Sequence, residues 1–112
     1  MVNTAQAQST STPYRVTLTD PSGHQWFADE PTDKGGQDTA PNPVQLLLSA
    51  LGACTTITLE MYANHKGIKI EHVQVDLALN PNGDPEAGQN NIERKITLKG
   101  EFTEDQLSTS LL

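Results

Sequence analysis

Pro41-Asn42-Pro43-Val44-Gln45-Leu46-Leu47-Leu48-Ser49-Ala50-Leu51-Gly52-Ala53-Cys54-Thr55-Thr56-Ile57-Thr58-Leu59-Glu60-Met61-Tyr62-Ala63-Asn64-His65-Lys66-Gly67 is the stretch that decides the fold. From Ala40 through Leu59 it holds no charged residue. Asn42 has the chemistry of an N-cap, since its side-chain oxygen accepts from the free N–H groups of a first helical turn. Pro43 then falls at the first helical position, where its missing N–H costs nothing. Gly67 is a natural C-cap, and Lys66 complements the negative end of the helix dipole. The pattern predicts one long helix, apolar nearly all the way round and therefore buried on most sides. Ser49, Gly52, Ala53 and Thr56 form a stripe of small residues that admits a close backbone. Leu47, Leu51, Cys54, Thr58 and Met61 form a second stripe of larger ones.

At 112 residues the chain is one domain with a small core. A helix apolar on every side asks for more cover than a few strands supply, which points to an oligomer, most simply a two-fold dimer. The net charge is −7 and the seven Lys and Arg residues are scattered, so no nucleic-acid or anionic-membrane partner is expected. The one cysteine excludes an internal disulfide framework. The prolines, Asn42, Gln45 and the hydroxyl residues argue against a membrane span across residues 40–59. The first dozen residues lack a positive start and an apolar core, so a leader peptide is not expected and the location is read as cytoplasmic.

Residues 1–12 are polar and aperiodic and read as a disordered tail, with the folded domain running from 13 to 112. A strand is predicted at Tyr14–Thr19, a type I turn at Asp20-Pro21-Ser22-Gly23, and a return strand at His24–Ala28. A loop rich in Gly, Pro and Asp follows. Its Asp29, Glu30 and Asp33 read as a solvated acidic patch, and Trp26 reads as core. After Gly67, residues 68–79 alternate as a strand with a phase shift at Glu71-His72, the mark of a bulge. Ile92–Glu101 alternates again, with Ile92, Arg94, Ile96 and Leu98 on one side. Thr103 and Gln106 have capping-box spacing, with Phe102 and Leu107 as the staple. The sequence stops at Leu111-Leu112 without a C-cap, so the domain is expected to be truncated within its C-terminal helix. This order gives an α+β fold with helices on an antiparallel sheet.

The chemistry rests on few residues. Cys54 reads either as a buried packing residue or as a reactive thiol. It lies some three turns inside the helix, beyond the reach of the N-terminal dipole, so an activating cation has to come from elsewhere. Arg15 and Lys34 are the Lys or Arg residues ahead of the helix, and His24 is a weaker candidate. His24, His65 and His72 have no metal-ligand spacing, and no metal or cofactor is expected.

The run Gly35-Gly36-Gln37-Asp38-Thr39-Ala40-Pro41-Asn42-Pro43, the apolar segment to Ser49-Ala50-Leu51-Gly52-Ala53-Cys54-Thr55, and the continuation Met61-Tyr62-Ala63 to Lys66-Gly67-Ile68 closely resemble the signature of the OsmC/Ohr superfamily. That name covers osmotically inducible protein C and the organic hydroperoxide resistance proteins, and the likeness runs from about Arg15 to the end. It implies an OsmC-like fold: an intertwined homodimer with an antiparallel sheet wrapped around long central helices. It also implies a thiol-dependent peroxidase acting on organic hydroperoxides in oxidative stress defence. Cys54 would be the nucleophile, oxidised to a sulfenic acid, and a dithiol the reductant. Family members add a second cysteine beyond the last helix, and the sequence contains none. They also hold the thiolate with an arginine, for which Arg15 is the candidate, and with a glutamate on the first helical turn, where Val44 and Gln45 stand. The alternative is a non-catalytic dimeric stress-response or small-molecule-binding member with an unreactive, buried Cys54.

Overall fold

A computed structural model describes residues 2–83 and 88–101. The elements are β1 (Gln6–Ser9), β2 (Val16–Thr19), β3 (Gln25–Ala28), a short 3-10 turn at Thr32–Lys34, α1 (Pro43–Lys66), β4 (Lys69–Leu79) and β5 (Ile92–Glu101). Two units divide the chain, Met1–Leu47 and Leu48–Leu112, with the division inside α1. The expected capping box at Thr103 and Gln106 lies outside the described residues.

The first unit carries an antiparallel three-stranded sheet in the order β1-β2-β3. The hairpin between β2 and β3 turns as expected. The Gly23 N–H donates to the Asp20 carbonyl at 3.1 Å, and Asp20 Oδ1 accepts from the Ser22 and His24 N–H groups. Asp20 Oδ2 lies 2.7 Å from His24 Nδ1, and this contact holds the Asp20 carboxyl below the usual range. Two expectations are corrected here. Residues 6–9, assigned to a disordered tail, form the edge strand β1, paired with β2 from Gln6↔Thr19 to Ser9↔Val16. All four are exposed, so backbone bonds hold this strand rather than side-chain burial, and an apolar alternation could not reveal it. Trp26, expected in the core, is 37% exposed.

The second unit pairs β4 with β5 antiparallel. The register slips between Ile70 and His72, leaving Glu71 as the extra residue of the bulge read from the sequence. Opposite it, Gly100 pairs with Ile70, and a Cβ there would stand 2.2 Å from the Lys69 carbonyl oxygen. One face of this sheet carries Val73, Val75, Leu77 and Leu79 on β4, opposite Leu98, Ile96, Arg94 and Ile92 on β5.

α1 starts and stops as its caps dictate. Asn42 Oδ1 accepts the Gln45 N–H at 2.8 Å, and Gln45 Oε1 accepts the Asn42 N–H at 3.1 Å, a reciprocal capping box. At the other end Gly67 takes φ +68 and the Ile68 N–H reaches back to the Ala63 carbonyl at 2.8 Å, a Schellman closure. Between these ends Gly52, Thr55, Leu59 and Ala63 are buried. Spaced three or four residues apart, they make one stripe, and it faces the β4–β5 sheet: the Leu77 Cδ1 atom lies 2.8 Å from where a Gly52 Cβ would be. The other faces are open within the chain. Ile57 is 51% and Met61 67% exposed. The helix is long and apolar enough to cross a membrane by length and composition; the chain's own sheet engages the stripe Gly52, Thr55, Leu59 and Ala63, and the expectation of a helix buried on most sides is corrected for the single chain.

The glycines rank the tolerance of the backbone. A Cβ on Gly36 would stand 2.0 Å from the Glu30 carbonyl oxygen, whereas one on Gly67 meets nothing within 4 Å and carries only the positive-φ strain. Gly36→Ala and Gly100→Ala are each expected to destabilise by about 3 kcal/mol or more, and Gly67→Ala by about 1 kcal/mol, measured by chemical denaturation.

Candidate functional site

Cys54 lies on α1 eleven residues beyond Pro43, and its side chain is exposed. The expectation of a cysteine sealed inside a buried element is therefore corrected for the single chain. The reason is geometric: the covered stripe runs through Gly52 and Thr55, and a residue between them is rotated away from the sheet. Leu47 and Met61, seven residues to either side of Cys54, are exposed as well, and Leu51 is half-buried. The thiol thus stands among apolar side chains that the chain leaves uncovered.

Its neighbour Thr55 turns inward. The Thr55 hydroxyl donates to the Leu51 carbonyl at 2.9 Å and accepts from Arg94 Nη1 at 2.9 Å. Arg94 comes from the middle of β5, opposite Leu77. Arg94 is expected on the apolar side of this strand, and the structure shows what a cation does there: its head reaches a helix hydroxyl. A cleft of about 500 Å³ lies between Glu60, Ala63 and Asn64 of α1 and residues 68–73; Cys54 does not line it.

In the first unit Arg15 precedes β2 rather than beginning the strand, because Tyr14 takes φ +69 and breaks the extended run. Its guanidinium lies 4.5 Å over the Phe27 ring, and Nη1 donates to the Thr39 hydroxyl. Thr39 Oγ1 in turn donates to Asp29 Oδ2 at 2.7 Å, and the Thr39 N–H reaches the same oxygen at 3.1 Å. Asp29 Oδ1 accepts the Glu30 N–H at 2.8 Å. The structure therefore brings Arg15 together with Phe27, Thr39 and Asp29 in one unit, while Cys54 belongs to the other, rotated away from the Thr55–Arg94 pair.

Asp29, read as part of a solvated acidic patch, is 1% exposed. The loop closes over it because Gly36 lets the backbone approach the Glu30 carbonyl and the Asp29 carboxylate, and because the Asp29 N–H is tied to the Pro41 carbonyl at 3.0 Å. The only sequence signal was the Gly35-Gly36 pair, which marks a close approach without naming what is approached. The hydroxyl of Thr39, its backbone N–H, and the N–H groups of Glu30 and Gln37 hold the Asp29 carboxyl down at about 2 against the pull of burial. Lys34, weighed as an activating cation, is exposed in the 3-10 turn. His24, the weaker candidate, is engaged by Asp20. Among the described residues no three His, Cys, Asp or Glu side chains form a metal-binding group.

A carboxyl held at about 2 when folded and at its ordinary 3.8 when unfolded contributes stability that is complete above pH 4 and is lost as pH falls toward 2. Asp29→Asn is expected to lower the melting temperature at pH 7. The difference from the parent should shrink steadily between pH 4 and 2, as read by thermal denaturation at stepped pH.

The family model described as OsmC-like protein matches residues 35–111. No curated protein sequence matches the chain. Among solved structures, the chain is similar to an OsmC-like protein from Mycoplasma pneumoniae at 18% identity and TM-score 0.79, covering 99% of this chain and 78% of that one. It is similar to an organic hydroperoxide resistance protein OsmC from Legionella pneumophila at 19% and 0.68, covering 99% and 80%. It is similar also to an organic hydroperoxide resistance protein from Elizabethkingia anophelis at 18% and 0.67, covering 98% and 81%. Identities this low establish the fold, in which antiparallel sheets accompany one long helix. The family match takes in Gly35-Gly36, the capped start of α1, Cys54 and both strands of the second sheet, and with it the chain belongs to the OsmC-like protein family.

Proposed function

We propose that the protein is a thiol-dependent peroxidase that reduces organic hydroperoxides in the cytoplasm, with Cys54 as nucleophile and an intertwined homodimer as its working form. One observation carries this reading: the only cysteine of the sequence is exposed on an uncharged helix face, among apolar side chains that the chain does not cover. The names of the Legionella pneumophila and Elizabethkingia anophelis structures support the substrate class. Exposed Leu47, Ile57 and Met61 supply a surface that a second copy would cover, and burial of such side chains yields about 1.5–3 kcal/mol each.

In this reading the Cys54 thiolate attacks the peroxide oxygen distal to the organic group. An S–O bond forms and the O–O bond breaks. The leaving alkoxide takes a proton and departs as an alcohol, and the sulfur, oxidised by two electrons, becomes a sulfenic acid. One thiol of an external dithiol then displaces water from that sulfur to give a mixed disulfide. The second thiol releases the Cys54 thiolate and leaves the reductant as its disulfide. The guanidinium of Arg15 is assigned the cationic role. The apolar surroundings of Cys54 favour an organic hydroperoxide over hydrogen peroxide.

A second reading, a dimeric binding protein with an unreactive Cys54, draws on one observation. Gln45, at the position where a glutamate would carry charge, spends its side-chain oxygen on the Asn42 N–H and serves as a cap. Consumption of cumene hydroperoxide with dithiothreitol separates the two. The parent protein is expected to turn over, and Cys54→Ser to fall by at least a hundredfold; equal rates would end the peroxidase reading. A Cys54 thiol that resists alkylation at neutral pH until the protein is denatured would favour the second. Sedimentation is expected to show a dimer that Met61→Glu converts to monomer, because a charge cannot be buried unpaired on that helix face.

A further inference from the structure

We infer that Asp29 is a positioning residue which, acting through the Thr39 hydroxyl, fixes the direction of the Arg15 guanidinium. The inference rests on the peroxidase reading, since it is for that reaction that the direction of Arg15 matters.

The chain of bonds has a defined polarity. A threonine hydroxyl has one proton. Thr39 commits it to Asp29 Oδ2 at 2.7 Å, and its backbone N–H is committed to the same carboxylate oxygen. What remains on Oγ1 is lone-pair density, and Arg15 Nη1 donates into it. A hydroxyl polarised by a carboxylate is a stronger acceptor than a free one. The guanidinium is thus anchored at its edge by Thr39 and across its face by Phe27, 4.5 Å below Cζ. Two constraints in different directions fix a planar group; either alone leaves a rotation.

Asp29 braces its own loop and, through one further bond, reaches Arg15. Its side chain is 1% exposed, and both oxygens accept from groups of its own loop. A charge that reaches Arg15 through one hydroxyl keeps the cation oriented without forming a direct ion pair that would occupy its fork. Gly36 serves the same end, because a Cβ there would stand 2.8 Å from Asp29 Oδ1 and displace the carboxylate.

The test is a mutant cycle on the full chain with cumene hydroperoxide and dithiothreitol, combined with nuclear magnetic resonance of the Arg15 side chain. Thr39→Val is expected to lower kcat/KM about tenfold. Thr39→Ser, which restores the hydroxyl, should recover it. In an Arg15→Ala background Thr39→Val should cost nothing further, since its effect passes through the arginine. The Arg15 Nη proton resonances, separated in the parent protein, should merge in Thr39→Val and in Asp29→Asn as the guanidinium is freed to rotate. Unchanged kcat/KM in Thr39→Val, losses that multiply in the double variant, or Arg15 resonances indifferent to both substitutions would each overturn the assignment. If the parent and Cys54→Ser consume peroxide equally, the peroxidase reading fails. The resonances then decide separately whether Asp29 and Thr39 hold the arginine.

Discussion

The contact between Gly52 and Leu77 sets the terms for the second unit. Because Gly52 has no side chain, the leucine methyl sits 2.8 Å from where a Cβ would have been, closer than a real Cβ allows. The helix therefore approaches the sheet closely along the line Gly52, Thr55, Leu59 and Ala63. That line is narrow. It fixes which way every other residue of α1 points, so Cys54 is turned out of the sheet interface by the same packing that buries Thr55. Exposure at this position is a by-product of a register chosen for packing, and one step of helix rotation would exchange the roles of the two residues.

The first unit is organised by an opposite device. Its centre is a single carboxylate, with the backbone of residues 29–41 arranged to feed it N–H groups. Hydrophobic burial alone would not hold a loop of this composition, which is polar and rich in glycine and proline. Satisfying a buried charge with several directed donors gives it one conformation in place of many. The two units thus draw their order from different sources, one from shape and the other from electrostatics.

Much of this was legible in the sequence. The caps of α1 could be read because Asn42, Pro43 and Gly67 each act through local backbone chemistry, which needs no knowledge of the rest of the chain. The bulge at Glu71 was visible because a phase slip in an alternating strand is a local signal too. Cys54 and Arg15 stood out by rarity and position. What escaped were features created by long-range closure. Nothing near Asp29 distinguishes it from Glu30 or Asp33 until the chain folds Thr39 back onto it, ten residues on. Arg94 needed the helix to be in place before its partner Thr55, thirty-nine residues away, existed for it. β1 escaped for a different reason: its small polar side chains contribute nothing to the pairing that defines it.

The cap at the start of α1 is built from two amides, Asn42 and Gln45, each giving and receiving one bond. Neither ionises at any accessible acidity. The Asp29 carboxylate clasp, earlier in the chain, does ionise. Acid therefore undoes the fastening of the loop while leaving the helix its first turn. The earliest acid-loosened species should be one in which α1 keeps its full winding and only the lead-in strap has come adrift.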